Sequence, residues 1–94
     1  MGQAVVIKNT VTLGDMLLID TDRSFTGQDG HVVIPDSLGR GVPARLGQKV
    51  FAADESVDYA HVLQNQVSLR RRGGWDEASI ARVTGAVEDF LLFY

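Results

Sequence analysis

The chain of 94 residues contains no cysteine, which excludes a disulfide framework and a thiolate zinc site and fits a reducing compartment. Only two prolines occur, and the apolar content of 45% is that of an ordinary globular domain, so wholesale disorder is not expected. No stretch approaches 18 consecutive apolar residues, and the opening segment, MGQAVVIKNT, lacks a long hydrophobic core after a basic region. The expectation is therefore a cytoplasmic protein with no membrane contact. Net positive charge is also missing: the formal charge is −3 and the pI is near 5.1, so there is no general electrostatic footprint for direct nucleic-acid binding. The one basic run is Arg70, Arg71 and Arg72, whose ordinary role is a solvated strand end.

What is present fits one domain over 1–94, with no internal repeat and no linker. A chain of this size buries roughly 60 to 65% of its unfolded surface, so its stability is modest and dimerisation would help. Ala4 to Lys8 and Asp15 to Thr21 are β-rich runs joined through a Gly14-Asp15 turn and read as a hairpin. Thr21 to Gly30 is a polar loop with Phe25 as its one large apolar residue, which either folds back as a plug or points at a partner. His31 to Pro35 is a third strand ended by proline, and its continuous apolar run suggests burial on both faces. Asp36 to Gly47, with three glycines and a proline, reads as irregular chain.

Lys49 to Ala53 then reads as a fourth strand, Asp54-Glu55-Ser56 as a turn, Val57 to Leu63 as a fifth strand and Gln66 to Arg71 as a sixth. Gly73-Gly74 releases the chain into a helix over Asp76 to Tyr94, with Asp76 as N-cap and Glu77 at the positive end of the dipole. On that helix Ile80, Val83, Val87, Phe90, Leu91 and Tyr94 form one stripe that seals a sheet face, while Leu92 and Phe93 project off it. Those two either bury in a dimer or against a loop, or touch a partner. The fold class is α+β, mainly β: a small, strongly bent antiparallel sheet or open SH3-like barrel with one C-terminal helix.

Chemistry-bearing patterns are few. His31 and His61 stand thirty residues apart with no carboxylate at ligand spacing, so no metal site is expected. Gly39, Gly41 and Gly47 are not followed by the Lys-Ser or Lys-Thr of a phosphate loop, and no cofactor is expected. Asp54, Glu55 and Asp58 crowd a turn, where solvation and turn closure are the usual roles. No catalytic residue follows from spacing.

The order of motifs resembles the CcdB family, toxins of toxin–antitoxin modules that share a fold with the MazF and Kid ribonucleases. The resemblance rests on Leu18-Ile19-Asp20, the polar loop leading to Val33-Ile34-Pro35, Asp54-Glu55-Ser56 after a strand, and the helix Ala86 to Tyr94 at the chain end. It implies a homodimer that poisons DNA gyrase by docking its C-terminal helices on the gyrase A subunit, and that an antitoxin neutralises. The target-binding positions it implies are Leu92, Phe93 and Tyr94, where the family carries Trp-Gly-Ile; the antitoxin-binding positions are Phe25 and Leu91. Two other classes of function stand beside it. One is a MazF-like endoribonuclease, for which Arg23 and His31 flank the first long loop, although the family's Arg-Pro pair is replaced by Gly30-His31. The other is a domain of the same fold that binds only an antitoxin-like peptide or itself. Gly30 to Val50 also resembles the swapped-hairpin DNA-binding fold of AbrB-type antitoxins, against which stand Gly39, Gly41, Pro43 and the acidic pI.

Overall fold

A computed structural model describes residues 5–37 and 39–90. The chain forms β1 (Ile7–Leu13), β2 (Met16–Thr21), β3 (His31–Val33), α1 (Gly41–Ala53), β4 (Val57–Leu63), β5 (Gln66–Arg71) and α2 (Glu77–Asp89). The strands make one antiparallel sheet in the order β1-β2-β5-β4-β3, and this sheet does not close into a barrel. The α+β class and the helix near the C-terminus are as the sequence implies; a second helix was not expected.

Register explains where the core sits. Leu17, Leu69, Ala60 and Val33 stand side by side across four strands, and Ile19, Val67 and Val62 form the next row. All seven are buried, whereas their sequence neighbours on the opposite face are half-buried or exposed. Strand alternation therefore gives the sheet one dry face, as an antiparallel sheet with one side packed should have. Leu46 and Val50 of α1 and Val83, Val87 and the following Phe90 at α2 complete that core. The result is a two-layer domain, helices on one face of a sheet.

Asp76 caps α2 as its sequence indicates. Its Oδ1 accepts from the Ser79 N–H at 2.8 Å, while the Ser79 hydroxyl oxygen accepts from the Asp76 N–H at 2.9 Å, so two otherwise orphaned donors are satisfied. The stripe is confirmed through Val83, Val87 and Phe90, which are buried, and Ile80, which packs against the core; Leu91 and Tyr94 lie outside the described residues.

Three boundaries depart from the sequence reading. The first arm of the hairpin is not Ala4 to Lys8 but Ile7–Leu13, with a register shift between Ile7 and Asn9. It is an edge strand, exposed over nearly its whole length apart from Ile7, which packs against the core. The expected strand over Lys49 to Ala53 is instead the last part of α1, and the supposed irregular segment supplies the first part. Gly41 takes φ +81° where the chain turns into the helix, and Pro43 lies in its first turn, where a missing N–H costs nothing. Gly47 sits within α1 because Val33 of β3 presses on it: a Cβ there would stand 2.5 Å from Val33 Cγ1. Finally, β3 ends at Val33, with Ile34 in an isolated bridge to Ser37. Val32 is 56% exposed, so the third strand is buried on one face and not on both.

Candidate functional site

Of the positions that the resemblance assigns to partners, Phe25 is the one that lies among the described residues. Phe25 folds back as a plug: it is buried, and its ring meets that of Phe90 edge-on with centroids 6.1 Å apart and planes at 67°. Its loop is laid across the β4–β5 turn by polar bonds. The Phe25 N–H donates to the Gln64 carbonyl at 2.8 Å, and the Gln64 N–H donates to the Thr26 hydroxyl at 2.6 Å. Thr21, itself buried, donates its hydroxyl to the carbonyls of Arg23 and Asn65, and the Asn65 side-chain amide donates to the Thr21 carbonyl at 3.0 Å.

The last turn of α2 is held from a second side. The Val5 N–H donates to the Glu88 carbonyl at 2.9 Å, and the segment is fixed further by exchange between Val6 and Asp22. The loop carrying Phe25, the segment before β1 and the end of α2 therefore form one continuous packed unit. Leu91, Leu92, Phe93 and Tyr94 lie outside the described residues, as does any geometry of their contacts. Phe25 contributes to that unit from inside, with only 6% of its surface exposed. A partner that touched its ring would have to lift the loop.

The other candidate groups are dispersed. His31 pairs with Val62 and His61 with Val32, so register puts the two histidines on opposite faces of the sheet. The His61 ring lies against Gly30, where a Cβ would stand 2.5 Å from Nε2. Arg23 follows β2 and His31 opens β3; in the sheet order, three strand spacings, about 14 Å, separate those two strands. No group of three or more His, Cys, Asp or Glu side chains suited to a metal ion occurs among the described residues.

The basic run is occupied within the chain. Arg70 Nε donates to Asp58 at 3.0 Å and its guanidinium lies 5.2 Å from the Tyr59 ring centre. Arg72 donates to the Glu55 carbonyl at 2.9 Å. Arg71 donates through Nε to Asp54 Oδ2 at 2.9 Å, and Arg82 of α2 donates to the same oxygen at 3.0 Å. Burial on its own would raise the Asp54 pKa, but the two guanidinium bonds and the Ser56 N–H hold its carboxyl below the ordinary aspartate value. Asp54 is thus the ion-pair centre that ties the end of α1 to β5 and α2. Sequence reasoning found only its turn, because its partners lie 17 and 28 residues away and no local pattern links them.

Compared with known protein families, with curated proteins and with solved structures, the chain matches none.

Proposed function

We propose that the chain is a non-enzymatic binding protein, the toxin component of a type II toxin–antitoxin module that acts on DNA gyrase. In this reading Leu92, Phe93 and Tyr94, which follow α2, meet the gyrase A subunit, and an antitoxin silences the protein at Leu91 and the loop of Phe25. The observation that supports it is the Phe25–Phe90 contact. It joins the loop assigned to the antitoxin to Phe90 at the end of α2, and the positions assigned to the target follow Phe90 in sequence, so in this reading a peptide that displaces the loop acts on the helix end that precedes them. Two bulky residues, Leu92 and Phe93, stand where the resembled family has Trp and Gly, so the contact with the target would be made by an apolar surface without close backbone approach.

The test is inducible expression in a bacterial host, with and without a gyrase A variant resistant to the resembled toxins. Growth arrest that the variant relieves, and that Leu92→Ala or Phe93→Asp removes while the fold persists, supports the proposal. Absence of arrest overturns the poison reading, and arrest that both variants leave unchanged overturns the role of the segment. Cleavage of single-stranded RNA by the purified protein would replace it with the endoribonuclease.

A further inference from the structure

The sheet face turned away from the helices carries a carboxylate that nothing among the described residues answers. Strand register puts Val11, Leu18 and Ser68 side by side on that face, with Leu18 of β2 between the other two. Asp20 and Gln66, themselves paired, lie one same-face step further along β2 and β5. These five side chains line a groove of about 220 Å³. The small Ser68 leaves the space, Val11 and Leu18 give it an apolar lining, and Asp20 and Gln66 make one end polar. Asp20 is half-buried, and its carboxylate makes no hydrogen bond or ion pair among the described residues. The cations of the two neighbouring strands do not reach it: Arg70 donates to Asp58, Arg71 donates to Asp54, and Lys8 forms no ion pair among the described residues. The Ser68 hydroxyl and the Gln66 side-chain amide likewise have no partner there.

We propose that this groove receives a lysine side chain from a partner protein. Three acceptors, one of them charged, at the end of an apolar groove are the setting for a cation with a hydrocarbon stem. An ammonium is a compact charge with three N–H donors, one each for the Asp20 carboxylate, the Gln66 amide oxygen and the Ser68 hydroxyl oxygen. Same-face neighbours along a strand stand about 7 Å apart. A lysine that enters over Leu18 and Val11 lays its stem on them and carries its charge along β2 to Asp20. A guanidinium brings five donors in a flat fork to a single carboxylate, and most of that fork would be left without acceptors.

The surroundings point to a protein segment as the source and not to a free amine. Val11 is 43% exposed, and Leu13, next to it on the same face of β1, is 62% exposed. Leu13 pairs with Met16 across β1 and β2, on the side of the groove away from Asp20. An extended chain that delivers the lysine places the residue two positions away about 7 Å along, over Leu13 and Met16. A segment of the pattern Leu-x-Lys therefore covers the exposed apolar corner with one side chain and answers the carboxylate with the other. A free amine would leave that corner in water. The groove lies on the sheet face opposite α2, and the proposal stands whatever the residues after that helix bind.

Titration of the isotopically labelled protein with the tripeptide acetyl-Leu-Ala-Lys-amide tests it, followed by the backbone amide shifts in two-dimensional NMR, which also verify the fold of each variant. The expected result is saturable shifts centred on Leu18, Asp20, Gln66 and Ser68. Norleucine in place of the peptide's lysine, or Asp20→Asn in the protein, weakens binding about tenfold, the worth of one hydrogen-bonded charge. Ser68→Val fills the groove while keeping the carboxylate and removes binding, and it serves where Asp20→Asn does not fold. Absence of shifts overturns the proposal, as does binding that the norleucine peptide matches or that Asp20→Asn and Ser68→Val leave unchanged. An arginine peptide that binds as tightly overturns the assignment to an ammonium. Butylammonium alone binding as tightly as the peptide overturns the protein source.

Discussion

Replacing glycine by alanine inside a helix ordinarily stabilises it, by about 1 kcal/mol, because alanine loses less backbone entropy on folding. The two helices of this protein turn that single substitution into opposite outcomes. At Gly85 in α2 an added Cβ meets nothing within 4 Å among the described residues, so Gly85→Ala gains the full propensity term. For a domain of this size about 1 kcal/mol corresponds to a rise in melting temperature of roughly 4 to 8 °C. At Gly47 in α1 the added Cβ would stand 2.5 Å from Cγ1 and 3.0 Å from Cβ of Val33, where carbon atoms in contact prefer about 3.5 to 4.0 Å. Val33 is itself buried and its Cβ is fixed to the backbone, so α1 must lift or β3 must retreat by about 1 Å.

Overpacking of this kind costs typically 1 to 3 kcal/mol, and after the propensity gain of about 1 kcal/mol the net loss for Gly47→Ala is about 1 kcal/mol. Val33→Ala removes Cγ1, the atom in severe overlap, leaves Cβ at the tighter-than-usual 3.0 Å, and costs about 2 kcal/mol by itself, from about 0.8 kcal/mol per buried carbon plus the cavity. In the double variant the alanine at 47 enters the space that Val33 vacates, so the combined loss falls short of the sum by at least about 1 kcal/mol. Thermal and urea denaturation of the four proteins measure the cycle. A Gly47→Ala protein that melts above the parent, as Gly85→Ala does, or a double variant with additive losses, would refute the close approach of α1 to β3.

Three further outcomes follow from the ion-pair centre, the aromatic contact and the tryptophan. Asp54→Asn leaves the partly buried Arg71 without its carboxylate and should cost about 2 to 3 kcal/mol, less than a fully buried pair because Arg82 is 46% exposed. The Asp54 pKa is lowered on folding, so its contribution is complete above the ordinary carboxylate range and is lost as pH falls through the folded value. Urea midpoints should therefore drop below about pH 4 in the parent, and drop by less in Asp54→Asn. Phe25→Ala empties a core position against Phe90 and should cost about 3 kcal/mol, read by denaturation, with hydrogen exchange at the Phe25 and Gln64 amides speeding up more than in β5. Equal acceleration throughout would count against a loop held by that ring. Trp75, whose indole N–H donates to the Asp15 carbonyl at 2.9 Å, should shift its emission to the red in the same transition that circular dichroism reports; separate transitions would mean that the β1–β2 turn opens on its own.

Local chemistry in the sequence determined a good part of this molecule. Asp76 capping, the 3.6-residue stripe through Val83 and Val87, the β4–β5 hairpin, the Gly14-Asp15 turn and the loop with its single Phe are all set by neighbours in the chain, and each is where local rules put it. Tertiary structure decided the rest. Read alone, Gly41 to Ala53 has two glycines and a proline against helix; in place, Gly41 makes the entry, Pro43 falls in the first turn and Gly47 is the flat spot that lets α1 lie on Val33. The path of β1 was decided by pairing with β2: Val11 and Leu13 alternate with Thr10 and Thr12, but the register shift between Ile7 and Asn9 and the exposure of nearly the whole strand leave its start to the partner strand. Asp54 looked like a turn residue until folding delivered Arg71 and Arg82 to one of its oxygens. Helix caps, turns and stripes act over a few residues and leave their mark in the order of the chain. Close approach, edge pairing and shared ion pairs act between residues far apart in sequence, so they exist only once the chain has folded.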